Sequence, residues 1–251
     1  MEIVKRTLDI LEASIKLNKE FSLSDLATLT GLSLDTVRRY VATLVERGYL
    51  HQQERGGNYS LGVEILKFNT VTGTSMILRD RAFPYLKSLC EEIAETVHMA
   101  VLDGNEAVCI SVIPNKGIMF QVVPDEGSRF PIHATSLGKL LLAYLSDEKI
   151  EAMLNSIKFT AYTQNTIIDK NSMKKEIEII RRNGVSFDDE EYEIGLRSAA
   201  APIRCNNGTV LAGIAFLGIS LRISNSKMKQ LAPVVKKTSL EISRLLGYTG
   251  N

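Results

Sequence analysis

Cysteine, histidine and long apolar stretches are all scarce in this sequence of 251 residues. The three cysteines, Cys90, Cys109 and Cys205, are odd in number and widely separated, which favours reduced thiols in a cytosolic protein over disulfides. No apolar run approaches the roughly 18 residues that cross a bilayer. The first residues lead into an amphipathic helix rather than a signal peptide. We therefore expect a cytoplasmic protein with no membrane partner.

Motifs for catalysis and for metal binding are also missing. The histidines are scattered along the chain: His51, His98 and His133. There is no Gly-x-Ser-x-Gly elbow, no His-Glu-x-x-His pair, no metal-ligand cluster and no phosphate loop. Ser136 or Ser198 would supply a nucleophile, and Cys205 a thiol alternative. His133 and Asp188 would complete such a triad, but without a supporting motif we expect no enzyme, cofactor or metal.

The overall charge gives no indication of a nucleic-acid partner. The net charge is +1, and residues 1–62 contain eight Lys and Arg against eight Asp and Glu. A DNA-binding hypothesis therefore depends on where the charges lie rather than on how many there are.

The first sixty residues have the spacing of a helix-turn-helix. Apolar residues recur at helical intervals over residues 3–17, and Ser22 or Ser24 is a candidate N-cap for a second helix. In a helix-turn-helix, a small residue lets the two helices cross closely, a glycine makes the corner and a β-branched residue packs beneath the second helix. Ala27, Gly31 and Val37 stand at these positions.

A hairpin follows these helices and completes a winged helix. Two β-prone runs, 48–53 and 59–61, flank the turn residues 54–58. The helix from Ser33 would present its N-terminal turns to base edges in the major groove. The candidates for DNA contact are Ser33, Asp35, Thr36, Arg38 and Arg39 on this helix, and Arg55 and Asn58 on the wing. The alternatives are a solvated surface, or a winged helix that binds only protein.

The rest of the chain predicts an α+β domain. Residues 61–74 predict a connecting helix, and residues 75–96 a second helix that Pro84 kinks or splits. The predicted strands are 97–102, 107–113 and 118–123 in an antiparallel meander, then 185–188, 199–204 and 210–217. One predicted helix begins at Thr135 or Ser136. Three further predicted helices cover about 147–155, 170–183 and 228–245. One antiparallel sheet covered by helices accounts for this pattern.

Two motifs of the second half carry a family resemblance. Residues 130–139 read FPIHATSLGK, and residues 184–198 read GVSFDDEEYEIGLRS, with Ala201-Pro202 shortly after. With the winged helix, this pattern resembles the IclR family of transcriptional regulators over nearly the whole chain. The resemblance implies a GAF-like effector domain, homodimers or homotetramers, and binding to palindromic operators in double-stranded DNA. It leaves open whether the protein is a repressor or an activator, because the family includes both. The implied domains are a DNA-binding domain at 1–62, a linker helix at 63–76 and an effector-binding and oligomerisation domain at 77–251.

The resemblance also implies an effector pocket between the sheet and the helix after His133. Its walls would be Ser136, Leu137, Asp188, Glu190, Ser198, Ala215 and Leu217. Some members have cysteine at Ser198, and some carboxylate-binding members have hydroxyls at Ala215 and Leu217. These departures favour a ligand with more apolar or aromatic surface, and free helix N–H groups favour an organic acid. The alternatives to a role in the pocket are a structural role for His133 and a solvent-exposed surface for the acidic run at 188–193.

Overall fold

The computed structural model describes residues 2–17, 20–52, 57–65 and 74–250. The chain divides into two compact units, Met1–Gly73 and Thr74–Asn251, and each contains its own hydrophobic core. Arg55 and most of the connecting helix predicted at 61–74 lie outside the described residues. No helix in the described part of the chain combines the length and apolarity that a membrane crossing requires.

The N-terminal unit is a helix-turn-helix with a hairpin. Its elements are α1 (Glu2–Leu17), α2 (Leu23–Thr30), α3 (Leu34–Glu46), β1 (Leu50–Gln52) and β2 (Tyr59–Leu61). Local signals set the turn: Ser22 caps α2 in a capping box with Asp25, and Gly31 ends α2 with a φ of 68°. Val37 is fully buried beneath α3, as the helix-turn-helix spacing predicted. The winged helix is therefore confirmed.

The C-terminal unit combines one sheet with helices on both faces. Its elements are α4 (Thr74–Ile93), β3 (Thr96–Asp103), β4 (Glu106–Ile113), β5 (Arg129–Pro131), α5 (Ser136–Ala143), α6 (Asp147–Ser156), α7 (Lys170–Asn183), β6 (Ser186–Asp189), β7 (Leu196–Arg204), β8 (Val210–Ile219) and α8 (Asn225–Leu245). The strand order is β5-β4-β3-β8-β7-β6, and every neighbouring pair is antiparallel. The α+β class is confirmed.

Alternating side chains divide this sheet between two cores. Ala212, Ile214 and Phe216 of β8 belong to the core that includes α4 and α8, whereas Ala215 belongs to the core that includes α5. This separation follows from the two-residue period of a strand. We call the side of the sheet that faces α5 the inner face.

The strand predicted at 118–123 is absent, and the prediction was wrong. The outer edge of β4 pairs instead with β5, with Glu106 opposite Pro131. Cys109 extends this contact through backbone hydrogen bonds to residues 127 and 128. Residues 118–123 form a loop in which Met119 and Phe120 are exposed.

Pro84 does not split the helix that contains it. Helix α4 runs unbroken from Thr74 to Ile93, although proline removes one intrahelical hydrogen bond. Ala82 and Leu86 on either side are completely buried in the core against the sheet. We attribute the continuity of the helix to this packing, which holds both flanking turns in place.

Candidate DNA-binding and effector sites

Helix α3 presents the predicted DNA-contacting residues at its N-terminal end. Ser33 is the N-cap, and its hydroxyl accepts from the Thr36 backbone N–H and lies 2.8 Å from the Thr36 hydroxyl. Arg38 and Arg39 are exposed on the following turn, and Arg38 forms a 3.2 Å ion pair with Asp35. Both partners of this pair are largely solvent-exposed, so duplex phosphate can compete for the guanidinium at little cost.

One surface groove brings α3 and the hairpin together. The groove has a volume of about 500 Å³, and Arg38 and Asn58 both line it. Gln52 ties the hairpin together by donating to the Gly57 carbonyl and to the Tyr59 hydroxyl. The N-terminal unit therefore places a candidate base-reading residue and a candidate backbone-contacting residue on the same surface.

Five of the seven predicted effector residues are buried in the C-terminal unit. They are Ser136, Leu137, Asp188, Ser198 and Ala215. Strand register places Asp188 opposite Ser198, Ser198 opposite Leu217, and Leu217 opposite Thr96. This row crosses four strands of the inner face. Neighbours in this row are 10, 19 and 121 residues apart in the sequence, so they could not be aligned in this way without knowledge of the register.

The N-terminal end of α5 lies against this row. The Ser136 and Ser198 hydroxyls are 2.6 Å apart, and the Ser186 hydroxyl donates to the Ser136 carbonyl at 2.5 Å. Thr135 caps the helix by accepting from the Gly138 N–H. These bonds attach the positive end of the α5 dipole to the inner face at the predicted pocket.

A buried lysine compensates the acidic groups beside the pocket. Lys139 is 1% exposed, and its Nζ lies 2.5 Å from Glu191 and 3.6 Å from Glu176. Burial raises the pKa of Asp188 to about 7, and hydrogen bonds from the backbone of Glu191 and the nearby Lys139 charge act in the opposite direction. Glu191 has its pKa raised by burial, and its Oε2 has no hydrogen-bond partner among the described residues.

Glu190 holds the loop after β6 rather than the row itself. One oxygen of its carboxylate lies 2.8 Å from Arg197, and the other accepts from the Gly195 N–H. Arg197 also binds Asp189 at 2.6 Å. Part of the acidic run at 188–193 therefore pairs with Arg197 rather than facing solvent as the alternative interpretation expected. Glu190 belongs to this paired part.

His98 and a series of aromatic rings extend the candidate site beyond the residues predicted from the sequence. His98 lies opposite Ala215 on the inner face, and burial lowers its pKa to about 4, so the ring is neutral. Its Nδ1 is buried without a partner in the described part of the chain. From His98, rings follow one another at centroid distances of 5.1 to 6.5 Å: Phe130, Tyr192, Tyr162, His133 and Phe159. The spacing of Thr96 and His98 along β3 was the sequence signal that could have placed both residues on the inner face.

The hydrogen bonds do not assemble the catalytic alternative. The Ser136 and Ser198 hydroxyls bond each other, and His133 Nε2 lies 3.0 Å from the Thr160 carbonyl. Cys205 bonds within its own turn, to Asn207 and Thr209. Within residues 2–17, 20–52, 57–65 and 74–250, no serine is bonded to the histidine, and no cluster of metal-ligating side chains occurs.

The fold and these two sites define a class: DNA-binding transcriptional regulators with a separate C-terminal effector domain. Comparison with protein families agrees with this class. The bacterial transcriptional regulator IclR C-terminal domain matches residues 71–244, and the IclR helix-turn-helix domain matches residues 3–54. Because the first match alone spans more than half of the sequence, this chain belongs to the IclR family.

Curated relatives that match nearly the whole chain are transcriptional regulators. The chain is 31% identical over 252 residues to the transcriptional repressor IclR of Escherichia coli strain K12, covering 100% of this chain and 91% of the relative. It is 29% identical over 250 residues to the HTH-type transcriptional regulator XynR of the same strain, covering 99% and 98%. The resemblance to a repressor and to a second regulator thus includes both units.

Solved structures share the same architecture. The Thermotoga maritima IclR crystal structure has a TM-score of 0.82 at 28% identity, covering 99% of this chain and 100% of the other. The crystal structure of an IclR homologue from Microbacterium hydrocarbonoxydans complexed with 4-hydroxybenzoate has a TM-score of 0.81, covering 97% and 98%. At 21% identity, the second likeness concerns the fold alone.

Proposed function

We propose that a small organic acid or aromatic metabolite binds at the inner face and modulates the binding of this regulator to its operator. The observation that carries the proposal is the row of Asp188, Ser198, Leu217 and Thr96 beneath the N-terminal end of α5. Hydroxyls, a helix N-terminus and apolar surface converge there, as in small-molecule sites.

The chemistry of the row supports a ligand with one anionic end and an aromatic body. The positive end of α5 and the Ser136 hydroxyl favour an anion. Leu217 and Ala215 add apolar surface, and the rings from His98 to Tyr192 add aromatic surface. The homologue bound to 4-hydroxybenzoate contains such a ligand in the same fold, and the residues of this chain support the same class.

Ligand binding would act through the arrangement of subunits. We infer homodimers or homotetramers in which two winged helices bind the half-sites of a palindromic operator. A ligand shifts this equilibrium only to the extent that it binds one arrangement more tightly than another. Residues 63–96, which connect the winged helix to the sheet of the C-terminal unit in the sequence, would transmit the change in half-site spacing.

The DNA-binding part of the proposal predicts the effect of one double variant. We expect Arg38→Ala/Arg39→Ala to bind a duplex selected from a random-sequence library by the wild type about 100-fold more weakly, since each lost arginine contact costs about 1–3 kcal/mol. The salt dependence of binding should fall as well if phosphate contacts are lost. Fluorescence anisotropy at several salt concentrations measures both quantities.

The matched control removes two exposed lysines of α8, in Lys227→Ala/Lys229→Ala. This variant has the same net charge as the arginine variant, and we expect wild-type affinity. Unchanged affinity and sequence preference in a folded arginine variant would contradict DNA recognition by α3, whereas equal weakening in both variants would indicate a general effect of charge.

The effector part of the proposal predicts a separable loss. Leu217 is half-buried, so we expect Leu217→Glu to fold but to place a carboxylate where the anionic ligand would lie. In a thermal-shift screen of organic acids and phenols that includes 4-hydroxybenzoate, the wild type should be stabilised by at least one compound. The variant should lose this stabilisation and still bind DNA, and Leu217→Met should retain both activities because its volume is conserved. Loss of both activities in Leu217→Glu alone would contradict a separate sensing domain.

A further inference from the structure

A cavity of about 620 Å³ lies between the C-terminal end of α7 and helix α8. Strand β6 pairs with β7 only as far as Ala200, so Pro202 and Arg204, which line the cavity, lie beyond the part of β7 that β6 covers. Arg204 follows Ser198 by six residues of extended strand, a separation of about 20 Å. The cavity is therefore distinct from the inner-face row.

The charged residues that line this cavity are all positive, and we call it the basic cavity. Five of its fourteen lining residues are basic, and none is Asp or Glu. The basic residues are Arg181, Arg182, Arg204, Lys236 and Lys237. Such a concentration of positive charge around a concave surface attracts anions.

Two of these cations are accounted for by the fold. Arg181 donates to the carbonyls of Ala143 and Leu145 and pairs with Asp147 at 2.8 Å. Lys236 donates to the Asn183 carbonyl at the end of α7, where a cation stabilises the helix dipole. Neither group needs a ligand to explain its position.

Like Lys236, the other three cations have no carboxylate partner in the part of the chain that the structure describes. Arg204 donates to the Gly208 carbonyl, and its guanidinium lies 4.4 Å from the centroid of the Tyr144 ring. Arg182 and Lys237 form no ion pair with any described residue. A surplus of positive charge thus remains after the contacts of the fold are counted.

A buried hydroxyl without a partner lies in the same cavity. Tyr144 lines the cavity, and its hydroxyl oxygen is buried without a hydrogen-bond partner among the described residues. Burial raises the pKa of Tyr144, and the neighbouring Arg204 side chain lowers it in part; the net rise keeps the phenol protonated, so that it can donate to a ligand oxygen. An unpartnered buried hydroxyl is costly, and a bound acceptor would remove that cost.

We propose that the basic cavity is a second ligand site, which binds a small phosphorylated metabolite. Its volume lies within the range of small-molecule sites. A phosphate group carries nearly two negative charges and three acceptor oxygens, which match the surplus cations and the Tyr144 hydroxyl better than a single carboxylate does. This site would act in addition to the inner-face effector site.

Pyrophosphate is a suitable probe, and its binding to the full chain can be followed by calorimetry and thermal shift at constant ionic strength. We expect saturable binding to the wild type. Arg182→Gln/Lys237→Gln should weaken this binding about tenfold or more, because charged hydrogen bonds are lost. Tyr144→Phe should weaken it several-fold without loss of the fold, since phenylalanine keeps the aromatic ring that packs against the Arg204 guanidinium.

Two controls make the result specific. Lys227→Gln/Lys229→Gln removes the same charge from α8 outside the cavity and should bind pyrophosphate as the wild type does. Leu217→Glu should also bind it normally, which separates this proposal from the inner-face effector. Absence of saturable binding, or equal weakening in both double variants, would overturn the proposal. A loss of duplex affinity in the Arg182/Lys237 variant with unchanged pyrophosphate binding would instead make this surface a DNA contact.

Discussion

Replacing Lys139 by methionine is expected to lower the free energy of unfolding by about 3–5 kcal/mol near pH 8, because removal of one partner leaves a buried charge uncompensated. The groups left behind are Glu191, Glu176 and Asp188. Burial already raises the pKa values of Glu191 and Asp188, and the Lys139 charge lowers them. Urea denaturation of the full chain, followed by far-UV circular dichroism, measures this loss.

The pH dependence of that loss tests its electrostatic origin. An acid whose pKa is raised on folding contributes stability that is present below its unfolded pKa and is lost as pH rises through the folded value. For Asp188 this interval runs from about 4 to about 7 in the wild type. Without Lys139 the pKa values of Asp188 and Glu191 rise further, so the variant should approach wild-type stability near pH 5 and fall away above it.

A second substitution distinguishes the lost ion pair from lost packing. Lys139→Met/Glu191→Leu removes both charges, and we expect it to recover most of the stability at pH 8, because an apolar pair of similar volume often replaces a buried ion pair without cost. A loss in Lys139→Met that is the same at every pH and persists in the double variant would contradict this interpretation.

Replacing Gly138 by alanine is expected to cost about 3 kcal/mol or more, the upper range for overpacking a core. A Cβ at Gly138 would lie 2.5 Å from the Ile132 Cα, 2.6 Å from the Pro131 carbonyl oxygen and 2.7 Å from the Thr135 hydroxyl oxygen. Two of these three neighbours are backbone atoms, so relief requires that α5 move away from the preceding segment. The same movement would pull Ser136 away from Ser198 and weaken the response to an effector.

Gly117 provides the control for this substitution. Its added Cβ would meet only the Asn115 side-chain oxygen, at 3.3 Å, so we expect Gly117→Ala to change stability by no more than about 0.5 kcal/mol. Urea denaturation compares the two variants. A Gly138→Ala protein as stable as Gly117→Ala would contradict this prediction, because it would show that α5 can move to accommodate the added Cβ at little cost.

The N-terminal unit was the more predictable half because its signals are local. Ser22 and Ser33 cap the helices that they precede, and Gly31 adopts the positive φ that the turn requires. Each of these features depends on residues within one helical turn, so spacing alone predicts them. The groove lined by Arg38 and Asn58 was harder to predict from the sequence, since it depends on the packing of α3 against the hairpin.

The C-terminal sheet shows where such local reasoning stops. The apolar pattern at 118–123 is typical of a strand, yet β4 pairs from Glu106 to Val108 with β5 instead. Pro84 is typical of a helix break, yet packing of Ala82 and Leu86 keeps α4 continuous. In both cases a contact distant in sequence outweighed a local preference.

The amino-acid sequence alone determined the helix caps, the winged helix and the motifs that identify the family, because each depends on neighbouring residues. The tertiary structure alone decided that Ser136 meets Ser198 across 62 residues, that Lys139 neutralises Glu191 across 52, and that five basic residues line one cavity with Tyr144. Strand register and helix packing set those distances. Neither is encoded in any one segment, since each depends on which other segments compete for the same edge or face.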